Sequence, residues 1–144
     1  DLMMSLVDSE IRFILCRHEQ AAAFMADVHG RLTGKAGVCL ATLGPGATNL
    51  ITGFADANMD RSPVVAIAGQ GATTRLHKES HQILDLVNLF APISKYSVEI
   101  LEAEIIGELV RRQKNPAEYL SVFPKTLPVK QRLMTYRRLR YKAR

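Results

Sequence analysis

The sequence lacks the patterns that mark several protein classes. None of its apolar runs approaches the ~20 residues that a membrane-spanning helix needs, and its amino terminus shows no basic and then apolar pattern of a secretory signal. Its two cysteines, Cys16 and Cys39, lie in apolar strand-like runs. Buried cysteines of this kind usually pack as small apolar side chains and do not form a disulfide. There is no paired Cys/His spacing of the zinc type. We therefore expect a cytoplasmic protein without a membrane partner or a structural metal.

The sequence also lacks acidic residues in its last stretch. From Lys125 onward there are eight basic residues and no acidic one, which leaves residues 1–124 with a net charge of −3 out of the total of +5. This division predicts a globular part over 1–124 and a basic tail over 125–144, either helical or disordered. Such a tail suggests a noncatalytic interaction module, but it carries only two tyrosines and no nucleic-acid-binding motif, so a solvated tail is favoured over a nucleic-acid partner.

Apolar runs alternate with helical patterns along the chain. Strands are predicted over 11–16, 38–42 and 64–68, with a short one over 94–96. Helices are predicted over 1–6, 19–32, 47–60 and 82–90, and an acidic one from 102. Because strands separated by helices of this length pair in parallel through crossover connections, the pattern predicts an α/β fold. We expect a doubly wound parallel sheet with helices on both faces.

A glycine-rich turn follows the second predicted strand, at Gly44-Pro45-Gly46-Ala47-Thr48-Asn49. A turn of this kind that opens a helix is a ready anion site. Its spacing matches neither the dinucleotide fingerprint nor a P-loop, which argues against a nucleotide-binding Rossmann domain. A tight strand-to-helix turn with close backbone approach explains the glycines equally well.

Residues 17–49, RHEQAAAFMADVHGRLTGKAGVCLATLGPGATN, resemble the pyrimidine-binding domain of thiamine-diphosphate enzymes, most closely the large catalytic subunit of acetolactate synthases. The resemblance covers roughly residues 1 to 110 and is densest from Arg17 to Gln70. It implies the same α/β fold. Members of the family have a further strand and helix before the segment that opens this chain, so we expect the first strand and helix of the domain to be lacking.

The resemblance implies roles for named residues. Glu19 would be the glutamate that hydrogen-bonds N1′ of the aminopyrimidine and so activates the cofactor. Such proton sharing works best with a carboxyl whose pKa is raised by an apolar setting, and Phe13 and Leu15 nearby suggest that setting. The cofactor-binding residues would be Glu19 together with Gly44, Pro45, Gly46 and Asn49.

A segment near the middle of the chain resembles the family's substrate side. Gln82 matches a glutamine that recurs in acetolactate synthases, and His81 stands where many members carry an aromatic residue. A solvated approach to a helix accounts for His81 and His77 equally well. The substrate-side residues would be His81 and Gln82.

The resemblance also implies an activity and its partners. Acetolactate synthases join two 2-keto acids, beginning with pyruvate, with loss of carbon dioxide. A glyoxylate carboligase or a 2-keto acid decarboxylase is the nearest alternative. The diphosphate and its Mg²⁺ would be held by a domain that this chain does not contain, from a homo-oligomer or a partner subunit, so the chain alone is expected to be inactive. FAD binding stays open, because some members carry FAD and others do not.

Overall fold

The computed structural model describes residues 2–72, 75, 81–108 and 111. In chain order the regular elements are α1 (Leu2–Val7), α2 (Glu19–Thr33), β1 (Gly37–Ala41), α3 (Pro45–Thr48), α4 (Ile51–Met59), β2 (Val64–Ala68) and α5 (Leu86–Phe90). Two 3₁₀ helices follow, at Ala91–Ile93 and Ala103–Ile105. None of the helices among the described residues has the length and apolar character to cross a membrane.

The two strands form a parallel sheet. They pair in register from Gly37 opposite Val64 to Ala41 opposite Ala68. At the far end, the backbone N–H of Gly69 donates to the carbonyl of Ala41 at 3.0 Å, which extends the ladder beyond the strands. Helices α3 and α4 make the connection between β1 and β2, as parallel pairing requires. The predicted α/β class with a parallel sheet is confirmed.

One face of this sheet is covered by α2 and α4. Close approach depends on glycine, because a Cβ on Gly37 would lie 2.1 Å from the carbonyl oxygen of Ala26 in α2. A Cβ on Gly53 in α4 would lie 2.8 Å from the Cβ of Ala23. The buried hydrophobic core consists of Ala23, Ala26, Cys39 and Leu50 together with Phe90 of α5.

The opposite face of the sheet carries the alternate residues of both strands. Val38 of β1 is 62% exposed and Ile67 of β2 is 40% exposed. Successive side chains of a strand point to opposite faces, so these residues lie away from α2 and α4. Helical cover of this second face stays a prediction.

Helix α2 begins and ends at residues that suit helix termini. The Nδ1 atom of His18 accepts a hydrogen bond from the backbone N–H of Gln20 at 3.2 Å, and Gly34 follows the last turn with φ of 67°. The N–H of Gly34 donates to the carbonyl of Gly30. A residue with positive φ after the last turn is a common helix end, and glycine adopts it without a steric penalty. The predicted helix over 19–32 is therefore confirmed, and it extends by one residue.

Two predicted strands are wrong. Residues 11–16 form no regular secondary structure, and Ile14 and Leu15 are 51% and 86% exposed. Residues 94–96 also form no strand and follow a 3₁₀ helix. An apolar run becomes a strand only where a neighbouring strand accepts its hydrogen bonds, and among the described residues only β1 and β2 pair.

The helix predictions hold with different boundaries. The predicted helix over 47–60 is two helices, α3 and α4, because Asn49 and Leu50 form a turn between them. The helix predicted from 82 begins only at Leu86, where Asp85 caps it by accepting the N–H of Asn88 at 3.0 Å. The predicted α1 is confirmed, and the helix predicted near 102 is present as the 3₁₀ turn and helical residues 106–108. His77 and the basic tail lie outside the described residues.

Candidate functional site

The carboxylate of Glu19 contacts a residue of the glycine-rich turn. The Nδ2 atom of Asn49 donates a hydrogen bond to Oε2 of Glu19 at 3.0 Å. Glu19 is the first residue of α2, and Asn49 directly follows α3, which begins four residues after β1. The contact therefore holds the start of one helix against the carboxyl end of β1. In open α/β sheets, the carboxyl ends of the strands are where ligands bind.

The second oxygen of Glu19 lies beside Gly46. A Cβ on Gly46 would be 3.2 Å from Oε1 of Glu19 and 2.6 Å from Cγ2 of Thr42. A side chain at this position would thus press on both neighbours. Glycine keeps the backbone of the turn close to the carboxylate, and Thr42 is a neighbour of the site that the sequence interpretation did not single out. Its position directly after β1 is the signal that points to it.

Gln82 approaches the same turn from the other side. A Cβ on Gly44, which has φ of 57°, would lie 2.7 Å from both the Cβ and the backbone oxygen of Gln82. Gln82 itself has φ of 60°, a conformation that costs a residue with a side chain on the order of 1 kcal/mol. Residues with strained backbone of this kind are more common at functional sites than elsewhere in proteins.

The structure therefore brings most of the predicted site residues together. Gly44 and Gln82 are neighbours across one side of the turn, and Glu19, Gly46 and Asn49 are neighbours across the other. Pro45 is the first residue of α3 in the same turn and is exposed.

His81 is also exposed, and no hydrogen bond or ion pair of its side chain is found within the described ranges. His81 lies near the site only because it directly precedes Gln82 in the chain. A pocket role for His81 stays a prediction.

The pKa of Glu19 lies below its ordinary value of 4.5. The hydrogen bond from Asn49 is the main cause, and a hydrogen bond from its own backbone N–H adds to it, while loss of solvent opposes both. Hydrogen bonds to the ionised form favour it. The expectation of a pKa raised by an apolar setting is therefore wrong for the free chain. Phe13 and Leu15, which suggested that setting, are 48% and 86% exposed.

The side chains of the site can act through hydrogen bonds. Across the part of the chain that the structure describes, there is no group of three or more His, Cys, Asp or Glu side chains that could hold a metal ion. The arrangement offers one ionised carboxylate beside a turn whose glycines leave little side-chain bulk. Chemically, it can accept a hydrogen bond from a protonated or N–H-bearing ligand atom.

Comparison with known proteins gives consistent matches. Residues 1–89 match the family model described as thiamine pyrophosphate enzyme, N-terminal TPP binding domain. Over 114 residues the chain is 49% identical to the catabolic acetolactate synthase of Raoultella terrigena, covering 79% of the chain and 20% of that protein. Over 106 residues it is 52% identical to the acetolactate synthase of Bacillus subtilis, covering 74% and 19%.

A third relative is the probable acetolactate synthase large subunit of Methanocaldococcus jannaschii, 49% identical over 107 residues that cover 74% of the chain and 18% of that protein. The chain thus spans about a fifth of the length of these curated relatives.

Proposed function

The chain belongs to the thiamine pyrophosphate enzyme family, within its N-terminal TPP binding domain, and from that premise we propose that it supplies the aminopyrimidine half of an acetolactate synthase-like carboligase site. Glu19 is the catalytic residue of this proposal. The proposed reaction joins two 2-keto acids, the first of them pyruvate, with loss of carbon dioxide. A site of this type also fits a glyoxylate carboligase or a 2-keto acid decarboxylase, and the substrate comparison below separates them.

The observation that supports the proposal is the contact between Glu19 and Asn49 beside the glycine turn. Bound thiamine diphosphate supplies a carbon nucleophile that adds to keto groups. The residues present fit its aminopyrimidine, since a carboxylate can hold a proton at a ring nitrogen and Gly46 keeps the backbone of the turn close to Oε1. Asn49 positions the carboxylate.

The protonation of Glu19 is the property that binding would change. In the free chain, Asn49 favours the ionised carboxylate. A flat ring covering the carboxylate would exclude water, and loss of water raises a carboxyl pKa. We therefore expect the two influences to oppose each other in the loaded site, which keeps the proton mobile between Glu19 and the ring.

The proposed site also needs a part that holds the diphosphate. We propose that a homo-oligomer or a partner subunit in the cytoplasm provides the domain that holds the diphosphate and its Mg²⁺. Gly44 and Pro45 would complete the pyrimidine side, and Gln82 and His81 would face the 2-keto acid. Whether FAD binds as well is decided by the visible absorption of the purified assembly.

The test combines this chain with the part of the Bacillus subtilis acetolactate synthase that it does not match. One arm mixes the two polypeptides, and a second arm exchanges the matched 106 residues for those of this chain in a single polypeptide. Both are supplied with thiamine diphosphate, Mg²⁺ and pyruvate, and acetolactate formation is measured. Glyoxylate as the sole substrate tests the glyoxylate carboligase reaction. Release of carbon dioxide from pyruvate without formation of acetolactate tests the decarboxylase reaction.

The proposal expects acetolactate in at least the exchanged polypeptide, with loss of nearly all activity in Glu19→Gln. Glu10→Gln is the matched control, because Glu10 is an exposed carboxylate outside the site, and it should leave the rate unchanged. A folded exchanged polypeptide that forms no product from any of these substrates would contradict the proposal.

A further inference from the structure

A cleft lies near the amino end of β2, the opposite end of the sheet from the glycine turn. Its volume is about 150 Å³, room for about five water molecules at ~30 Å³ each. The cleft runs between the end of α4, the start of β2 and residues 93–96. Nothing in the proposed carboligase site uses it. The lining includes Phe54, Arg61, Val64, Ser94, Lys95 and Tyr96.

Two positively charged side chains line this cleft. Both residues are exposed, and the pKa of the Lys95 ammonium lies below its ordinary value, chiefly because of a partial loss of solvent and secondly because of the positive charge of Arg61. Arg61 forms no ion pair with any residue that the structure describes. An anion between the two cations would be attracted by both.

Arg61 is held in an unusual backbone conformation. It has φ of 59°, which is uncommon for a residue with a side chain. Its N–H donates to the carbonyl of Asn58 at 3.2 Å, and the next residue, Ser62, donates its N–H to the carbonyl of Ala57 at 2.8 Å. These bonds fix the backbone turn that carries Arg61. The fold therefore sets the backbone position of Arg61 beside the cleft.

Ser94 supplies a neutral polar group to the same lining. Its Oγ is buried and has no hydrogen-bond partner among the described residues. A buried hydroxyl without a partner costs free energy and is uncommon in folded proteins. A ligand carboxylate in the cleft would accept its proton in a hydrogen bond once the side chain turns toward the cleft.

The rest of the lining is apolar. Phe54 packs edge to face on Phe90 with ring centroids 5.6 Å apart, which gives this wall a fixed position, and Val64 lines the cleft from the strand. We propose that the cleft binds a small organic acid, a carboxylate with a short apolar group, with the acid between Arg61 and Lys95 and the apolar group against Phe54 and Val64.

The experiment is a titration of the full chain with sodium isovalerate, followed by the backbone amide signals in two-dimensional NMR at neutral pH and constant ionic strength. The uncharged 3-methylbutanol serves as the matched ligand. The variants are Arg61→Asn, which removes the charge and keeps a residue that tolerates positive φ, and Lys95→Met, which keeps most of the apolar stem. Arg12→Gln is the control, since Arg12 is an exposed cation outside the cleft.

We expect saturable shifts confined to residues around the cleft, affinity for isovalerate at least about tenfold weaker in Arg61→Asn and in Lys95→Met, and no change in Arg12→Gln. The same spectra report whether each variant is folded. The proposal is overturned if the shifts grow linearly without saturation, if a folded Arg61→Asn binds as tightly as the unaltered chain, or if 3-methylbutanol binds as tightly as isovalerate.

Discussion

The side-chain amide of Asn49 holds one carboxylate oxygen of Glu19 at 3.0 Å, across a separation of thirty residues in the chain. The contact joins the first residue of α2 to the turn that leaves β1. It brings a single acid to the carboxyl end of a parallel strand and sets the protonation of that acid.

Replacing Asn49 by alanine should raise the pKa of Glu19. The hydrogen bond from Asn49 is the main reason that this pKa lies below 4.5, so its removal moves the midpoint upward toward that ordinary value. Carbon-detected NMR titration of the Glu19 carboxyl measures it directly. Asn58→Ala, at an exposed position of α4, should leave the midpoint where it is. An unchanged midpoint in Asn49→Ala would show that Asn49 does not set the protonation of Glu19.

Asp27 should contribute more to stability than Asp56, although both pair with Arg31. The Asp27 side chain is 1% exposed and accepts a hydrogen bond from Nε of Arg31 at 2.9 Å, whereas the Asp56 side chain is 46% exposed. Asp27→Asn should lower the free energy of unfolding by about 1–3 kcal/mol, because it disrupts a buried charged hydrogen bond. Asp56→Asn should change it by less than about 0.5 kcal/mol. Urea unfolding compares the two, and equal losses would contradict the role of burial.

Acid should weaken the fold through Asp27. Its pKa is lowered in the folded chain, mainly by the hydrogen bond from Arg31, so the unfolded chain takes up the proton first as the pH falls. The stabilisation is therefore complete above the ordinary value of 3.8 and is lost as the pH falls through the lowered folded pKa. Melting temperatures of the unaltered chain and Asp27→Asn should converge below pH 3.8. Parallel curves over that window would rule this linkage out.

Two glycines of this chain should respond oppositely to alanine. At Gly37 the added Cβ would meet the carbonyl oxygen of Ala26 at 2.1 Å, so the helix and strand must separate, at a cost of about 1–3 kcal/mol. At Gly107 nothing lies within 4 Å of the added Cβ, and alanine should be neutral or stabilising by up to about 1 kcal/mol. Unfolding in urea gives both values. A Gly37→Ala chain as stable as the parent would mean that α2 and β1 are not in this close contact.

The two thiols should differ in reactivity. Cys39 is 3% exposed and its pKa is raised to about 11 by burial, so it holds little thiolate at neutral pH. Cys16 is only partly buried, near Sδ of Met25. Iodoacetamide followed by mass spectrometry should modify Cys16 first and Cys39 only after unfolding, and Cys16→Ser should abolish the early product. Equal rates in the folded chain would contradict the burial of Cys39.

Several features could be predicted from the sequence because they depend on neighbouring residues. The bounds of β2 follow from a continuous apolar run, and the end of α2 follows from Gly34, whose positive φ stops a helix. The break between α3 and α4 was missed, since the turn at Asn49 and Leu50 carries no glycine or proline of its own.

The sequence by itself determined the α/β alternation, the glycine turn and which acid stands at the start of α2, because apolar periodicity, capping and turn chemistry are local properties. Only the tertiary structure decided that residues 11–16 stay outside the sheet, that Asn49 reaches Glu19, and that the pKa of Glu19 falls instead of rising. The physical reason is that a strand ladder and a hydrogen bond between side chains need a partner from a distant part of the chain. The partner's position is set by how α2, β1 and α4 pack.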